Sequence, residues 1–270
     1  MNYIKATLPI IAFLSIAIIE SCENNADLLS FSIDDDVALG MKVDAAMESD
    51  PVQFPILDRT QHAKAYAILD GILQKILNSD TITHRDKFLW KLHIINDDQI
   101  LNAFAAPGGY IYIYSGLMYF LDREDDLAAI ISHEVAHAER RHISKALQRQ
   151  FSVAVLTEAL NGGQPEMIQQ IIGSLVGTEA LKFSRDAAIE ADNLSVEYLS
   201  DTDYACNGAA SFFKKLTANQ EAFNPEFLST HPGSNNRIEN INKKAASIRC
   251  DTTFLDADGS KINALKALLP

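Results

Sequence analysis

The chain has 270 residues and a net charge of −13 with histidine neutral. That balance argues against a nucleic-acid partner, which needs a basic footprint, and disfavours capture by anionic headgroups through charge alone. Beyond its first residues the chain is long enough for one substantial domain.

The N-terminus reads as a targeting segment. Lys5 supplies a basic start, and the run 8–19 is apolar apart from Ser15 and too short for a comfortable membrane span. It ends at Ile19-Glu20-Ser21-Cys22, a small residue before a cysteine, which resembles the lipobox of bacterial lipoproteins. On that resemblance residues 1–21 are a signal peptide cleaved before Cys22, which is then lipidated. Glu20 is unusual in such a box, so cleavage by ordinary signal peptidase is one alternative and an uncleaved anchor another. Each version puts the bulk of the protein outside the cytoplasm, in the cell envelope. The first implies a periplasmic, membrane-anchored lipoprotein. Cleavage removes Lys5 and Glu20 together, so the mature charge stays at −13.

Residues 22–33 look like a polar tether, 34–250 like the folded domain and 251–270 like a C-terminal tail. Helical spacing covers 34–47 and 58–77; in the second, Ala65, Ile68, Leu69, Ile72, Leu73 and Ile76 form one stripe. The stretch 88–95 reads as a strand. Pro107-Gly108-Gly109 is a turn signal, and 110–114 alternates tyrosine with isoleucine, which suits a strand packed on both faces or at a sheet edge. Ser115 and Gly116 then break the strand.

Asp122-Arg-Glu-Asp-Asp opens a helix with acids in its first turn, and Leu127, Ile130, Ile131, Val135 and Ala138 recur at helical spacing. Within it lies His133-Glu134-Val135-Ala136-His137. Residues four apart share a helix face, so both imidazoles can reach one cation, with Glu134 beside its open position as a proton acceptor. His142, five residues past His137, falls off that face and reads as a packing or hydrogen-bonding residue. His62, His84 and His93 have no partner at metal-ligand spacing. Further helices are expected over 144–160, 165–183, 184–198, 209–216 and 235–248. Strands gathered early and helices elsewhere predict an α+β fold, mainly helical, with a small antiparallel sheet beside the H-E-x-x-H helix. Cys206 and Cys250 either pair, tying the last helices to the body, or remain as buried thiols.

Several strings together resemble the HtpX and CAAX prenyl protease family of zinc metallopeptidases, in its soluble periplasmic branch similar to BepA and the Oma proteases. The carriers are Asn102-Ala-Phe-Ala-Ala-Pro-Gly-Gly, Gly116-Leu117, His133-Glu-Val-Ala-His137 with Arg141-His142, Ser184-Arg185 through Glu190-Ala191-Asp192, and Ser229-Thr230-His231-Pro232. The resemblance implies a zincin-like fold and one Zn2+ per chain, with His133 and His137 as ligands and Glu134 as general base. It implies that the strand at Tyr110, Ile111 and Tyr112 is the edge that binds an extended protein or peptide substrate. His231 would approach the metal, to steady the oxyanion or to plug the open position. No cysteine lies within the matching strings, which argues against a cysteine protease.

The chain departs from the family at one position. The family's third ligand is a Glu four residues before the Asp of its Ala-Asp pair; here the Asp is Asp192 and that place holds Ala188. The ligand then falls to Asp192 on the same face, to Glu190 if the helix is rotated, or to His231, or else zinc is held by two histidines and water. In the family the Asp more often orients a ligand histidine from behind. Two functions follow. One is a zinc-dependent metalloendopeptidase of the envelope acting on unfolded or misassembled proteins. The other is a non-catalytic member that binds polypeptide as a chaperone or assembly lipoprotein.

Overall fold

The computed structural model describes residues 31–162, 165–176, 183–218, 227, 231 and 236–270. The signal segment, Cys22 and most of the expected tether lie outside the described residues, as do Ser229, Thr230 and Pro232. In chain order the elements are α1 (Ile33–Glu48), α2 (Ala63–Leu77), β1 (Lys91–Ile95), β2 (Ala103–Ala106), β3 (Tyr110–Tyr114), α3 (Ser115–Phe120), α4 (Glu124–Glu139), α5 (His142–Gln150), α6 (Val153–Leu160), α7 (Pro165–Val176), α8 (Arg185–Ser200), α9 (Gly208–Ala218), α10 (Arg237–Ile248) and α11 (Ser260–Lys266). Among the described residues, no helix is long and apolar enough to cross a membrane.

The fold is α+β and mainly helical, as expected, but its sheet is mixed. The strand order is β1-β3-β2. β2 pairs antiparallel with β3, whereas β1 runs parallel to it. The β2–β3 reversal is the expected Pro107-Gly108-Gly109 turn, where Gly108 (φ 75°) and Gly109 (φ 90°) take the left-handed conformation that side chains disfavour. β3 is therefore the middle strand. Its five residues are buried on both faces, which explains why isoleucine and tyrosine fill it without a polar alternation.

α4 lies against the sheet on one side and against α8 on the other. All sixteen of its residues are buried, charged ones included. Its first turn has a buried polar environment: Asp125 accepts from the backbone amides of Ala205, Leu255 and Asp256 at 2.9–3.0 Å. Asp256 in turn accepts from the amides of Glu124, Lys261 and Ile262. Residues 251–270 are thus no tail; they pack into the same compact unit as the rest of Phe31–Pro270 and fix the start of α4. A disulfide joins Cys206 to Cys250 across a Cα separation of 6.3 Å, beside the start of α9 and the end of α10.

The expected helix over 144–160 is two. α5 ends at Gln150, and Ser152 caps α6 by accepting from the Val155 amide. The end of α4 is held differently. Arg141 adopts φ 56°, and its guanidinium binds Asp36 and the carbonyls of Phe31 and Ser32 at the start of α1. α5 begins at the next residue, so the chain turns sharply between His137 and His142.

Candidate metal centre

α4 presents His133, Glu134 and His137 at the spacing read from the sequence, all of them buried. Nε2 of His133 lies 3.1 Å from Nε2 of His137. His231 comes in from beyond α9. One ring nitrogen from each of the three histidines lies within 4.8 Å of the others, and His231 Nε2 is 3.3 Å from Glu134 Oε1.

Each ring is held from behind. His133 Nδ1 is 3.0 Å from Asp192 Oδ1, and Asp192 is gripped by Arg237 through Nε at 2.8 Å and Nη2 at 2.6 Å. His231 Nδ1 lies 3.2 Å from the Phe227 carbonyl. His137 Nδ1 meets Nδ1 of His142 at 3.1 Å. Carbonyls and carboxylates only accept, so the Phe227 carbonyl sets the proton of His231 on Nδ1; Asp192, 3.0 Å from His133 Nδ1 but off the line of a hydrogen bond, favours the same tautomer there, with Nε2 facing the shared space.

The electrostatics agree with neutral rings at His133 and His137. Burial pushes the His133 imidazolium pKa down, more than Asp192 raises it. Burial and the neighbouring rings push His137 well below the usual range. Burial works against the charge of Asp192 too, but Arg237 and His133 outweigh it and hold that carboxyl below the ordinary carboxylate range. Glu134 is wholly buried, and neither of its oxygens accepts a hydrogen bond among the described residues. Inward lone pairs beside such a carboxylate form an acceptor-only cluster, which is costly in an apolar interior without a cation. Imidazole nitrogens suit a borderline-soft divalent ion. The residues present therefore fit a metal.

Neither expected carboxylate joins the trio. Glu190 points the other way, binding Arg140 Nε at 2.5 Å and His142 Nε2 at 3.2 Å, with its side chain 41% exposed. Two residues along α8 from Ala188, it is rotated off the face that α4 sees. Asp192 is on that face but is spent orienting His133. Ala188, buried one turn before Asp192, leaves its place without a ligand atom, and the third nitrogen comes from His231.

Tyr110, Ile111 and Tyr112 are not at a sheet edge. They pair with β1 on one side and β2 on the other, and Tyr112 donates to Asp44 at 2.9 Å inside the core. His93 also meets Asp44, at 2.7 Å; there Lys91 already places its ammonium 2.9 Å from both Asp44 and Glu48, so that cluster is paired internally. His84 pairs with Glu139 at 3.1 Å. Arg237 escaped sequence reasoning altogether. The one signal for it was physical: a carboxylate buried behind a ligand histidine demands a cation.

The chain matches the model of peptidase family M48 over residues 63–245. It is 27% identical over 218 residues to the beta-barrel assembly-enhancing protease of Yersinia pestis, covering 74% of this chain and 44% of that protein. Its counterpart in Escherichia coli K12 is 28% identical over 208 residues, with 71% and 42% covered. The mitochondrial metalloendopeptidase OMA1 of Schizosaccharomyces pombe is 33% identical over 159 residues, with 56% and 45% covered. The matches span less than half the length of each of these relatives.

Proposed function

The chain belongs to peptidase family M48, and on that premise we propose that it is a zinc-dependent metalloendopeptidase of the bacterial cell envelope, hydrolysing unfolded or misassembled proteins. One observation carries the reading: three imidazoles converge beside a buried glutamate whose oxygens accept no hydrogen bond among the described residues, with Oε1 3.3 Å from His231 Nε2.

His133, His137 and His231 would hold one Zn2+, with His231 taking the place that Ala188 leaves empty. When bound, zinc lowers the pKa of water toward neutrality and polarises a carbonyl. Glu134 accepts the proton of the attacking water and delivers it to the leaving amine. Asp192 and His142 keep the ligand rings in the tautomers that leave Nε2 inward. Burial around Glu134 excludes bulk water, which strengthens every charge interaction there.

The substrate strand belongs on β2 rather than β3. The Tyr114 amide bonds the Asn102 carbonyl, and antiparallel alternation then assigns Phe104 and Ala106 to β3, leaving the N–H and C=O of Ala103 and Ala105 outward. Among the described residues no backbone group pairs with Ala103 or Ala105 on that side; the Phe227 amide bonds the Leu101 carbonyl further along the same edge, and the four residues of β2 are buried. An extended peptide adding there would lie next to α4, on which β2 packs. A leader ending just before Cys22 supports export and lipid anchoring, and the disulfide is compatible with an oxidising compartment.

Ala188 and the complete burial of Glu134 favour a second reading, a polypeptide-binding member without turnover. The two part on one experiment. Purified, zinc-loaded chain is given a denatured protein, with and without chelator, alongside Glu134→Gln. Chelator-sensitive cleavage that the variant loses supports the peptidase. Metal-replete chain that binds the denatured protein and cuts nothing supports the binder.

A further inference from the structure

The first ligand histidine has a carboxylate behind it, as buried metal ligands usually do. The second does not. Behind His137 stands another imidazole, His142, with ring centroids 5.0 Å apart and planes at 72°. The contact exists because Arg141 turns the chain: on one continuous helix a side chain five positions on would point elsewhere.

The hydrogen bonds behind His137 run in one direction. Glu190 accepts only, so the 3.2 Å contact from His142 puts a proton on His142 Nε2. A neutral His142 then has a lone pair at Nδ1, 3.1 Å from His137 Nδ1. His137 must donate there, which leaves its own lone pair on Nε2, the nitrogen that faces His133. Arg140 holds the far oxygen of Glu190. The arrangement repeats, one ring longer, the arm behind His133, where Asp192 is braced by Arg237.

We propose that His142 and Glu190 are positioning residues for the metal centre, a histidine–carboxylate relay that fixes the tautomer and ring orientation of His137. Glu190 is thus not a ligand but the anchor of one. The inference rests on the metal-site reading above. It assigns to a half-exposed glutamate on α8 control over a nitrogen two hydrogen bonds away inside the core.

The experiment measures Zn2+ affinity of the full purified chain by competition with a chromophoric chelator, and visible absorption after Co2+ substitution. His142→Phe should weaken zinc binding roughly ten- to a hundredfold, the range for losing an outer-shell partner of a metal ligand. Glu190→Ala, a change at the surface that the fold tolerates, should weaken it by a factor within the same range and alter the Co2+ ligand-field bands. Glu190→Gln, whose amide oxygen still accepts from His142, should restore most of the affinity. Zinc bound as tightly by Glu190→Ala as by the parent, with identical Co2+ spectra, overturns the proposal and leaves the metal site standing. A parent chain that binds no zinc overturns the metal reading and this proposal with it.

Discussion

Arg237 reaches Asp192 with two parallel hydrogen bonds, and both side chains are buried. The pair is the structural counterweight to the metal centre: Arg237 supplies the charge that lets Asp192 remain a carboxylate behind His133, and it also donates to the His231 carbonyl at 3.2 Å. One residue on α10 therefore touches the supports of two of the three imidazoles. Arg237→Met removes the charge but keeps much of the volume. Asp192 is left uncompensated, and breaking such a buried pair costs about 3–5 kcal/mol. Chemical denaturation should show that loss in metal-free protein, and zinc affinity should fall along with it. The double variant Arg237→Met with Asp192→Asn should recover part of the stability, because neither charge then remains unpaired.

Restoring the family's carboxylate tests the reading of position 188. Ala188 is buried and lies one turn before Asp192, on the same face of α8 as the carboxylate behind His133. In Ala188→Glu the new carboxylate has two options: to meet a cation, or to be buried without a partner at a penalty of several kcal/mol. Metal-free variant should therefore melt below the parent, and saturating zinc should raise its melting temperature by more than it raises the parent's. An equal zinc-induced shift in both proteins would mean that side chain 188 does not reach the site.

Much of this centre was legible beforehand, and the limits are instructive. His133, Glu134 and His137 sit on one helix, where spacing alone dictates their geometry, so the sequence pattern and the structure agree. His231 was placed near the metal by the company of its neighbours. The contact between His137 and His142 was not legible, since it depends on a left-handed Arg141 fixed by Asp36, a partner far away in sequence. Nor does alternation along 110–114 reveal whether a strand is central or marginal; that depends on pairing with β1 and β2. The C-terminal segment reads as a tail because its helix is only seven residues long; in the structure Ile262 and Leu265 bury in the core while Asp256 caps backbone amides.

The Cys206–Cys250 disulfide should matter to stability and not to the metal. It closes a segment of 44 residues, for which chain entropy alone gives about 4 kcal/mol. The start of α4 is nonetheless gripped independently by Asp125 and Asp256. Cys206→Ser with Cys250→Ser should lower the denaturant midpoint substantially, while zinc stoichiometry in the folded variant stays at the parent value. Reducing agent added to the parent should reproduce the shift.

His231 decides between two roles that the sequence left open. As a third ligand it contributes affinity, so His231→Ala should bind zinc more weakly and lose turnover, since an ion held by His133 and His137 alone has too few protein donors. As a plug over an already sufficient site it would do the opposite: removing it would leave affinity nearly unchanged and raise the rate on denatured protein. The geometry favours the ligand. Position 188 offers no donor atom, the His231 ring is fixed through Nδ1 by the Phe227 carbonyl, and its Nε2 approaches the same space that His133 and His137 share. His231→Asp, which keeps a metal-binding atom on a shorter side chain, should fall between the parent and His231→Ala in a zinc competition titration. A rate increase in either variant, with zinc still bound at parent affinity, would assign His231 to gating instead.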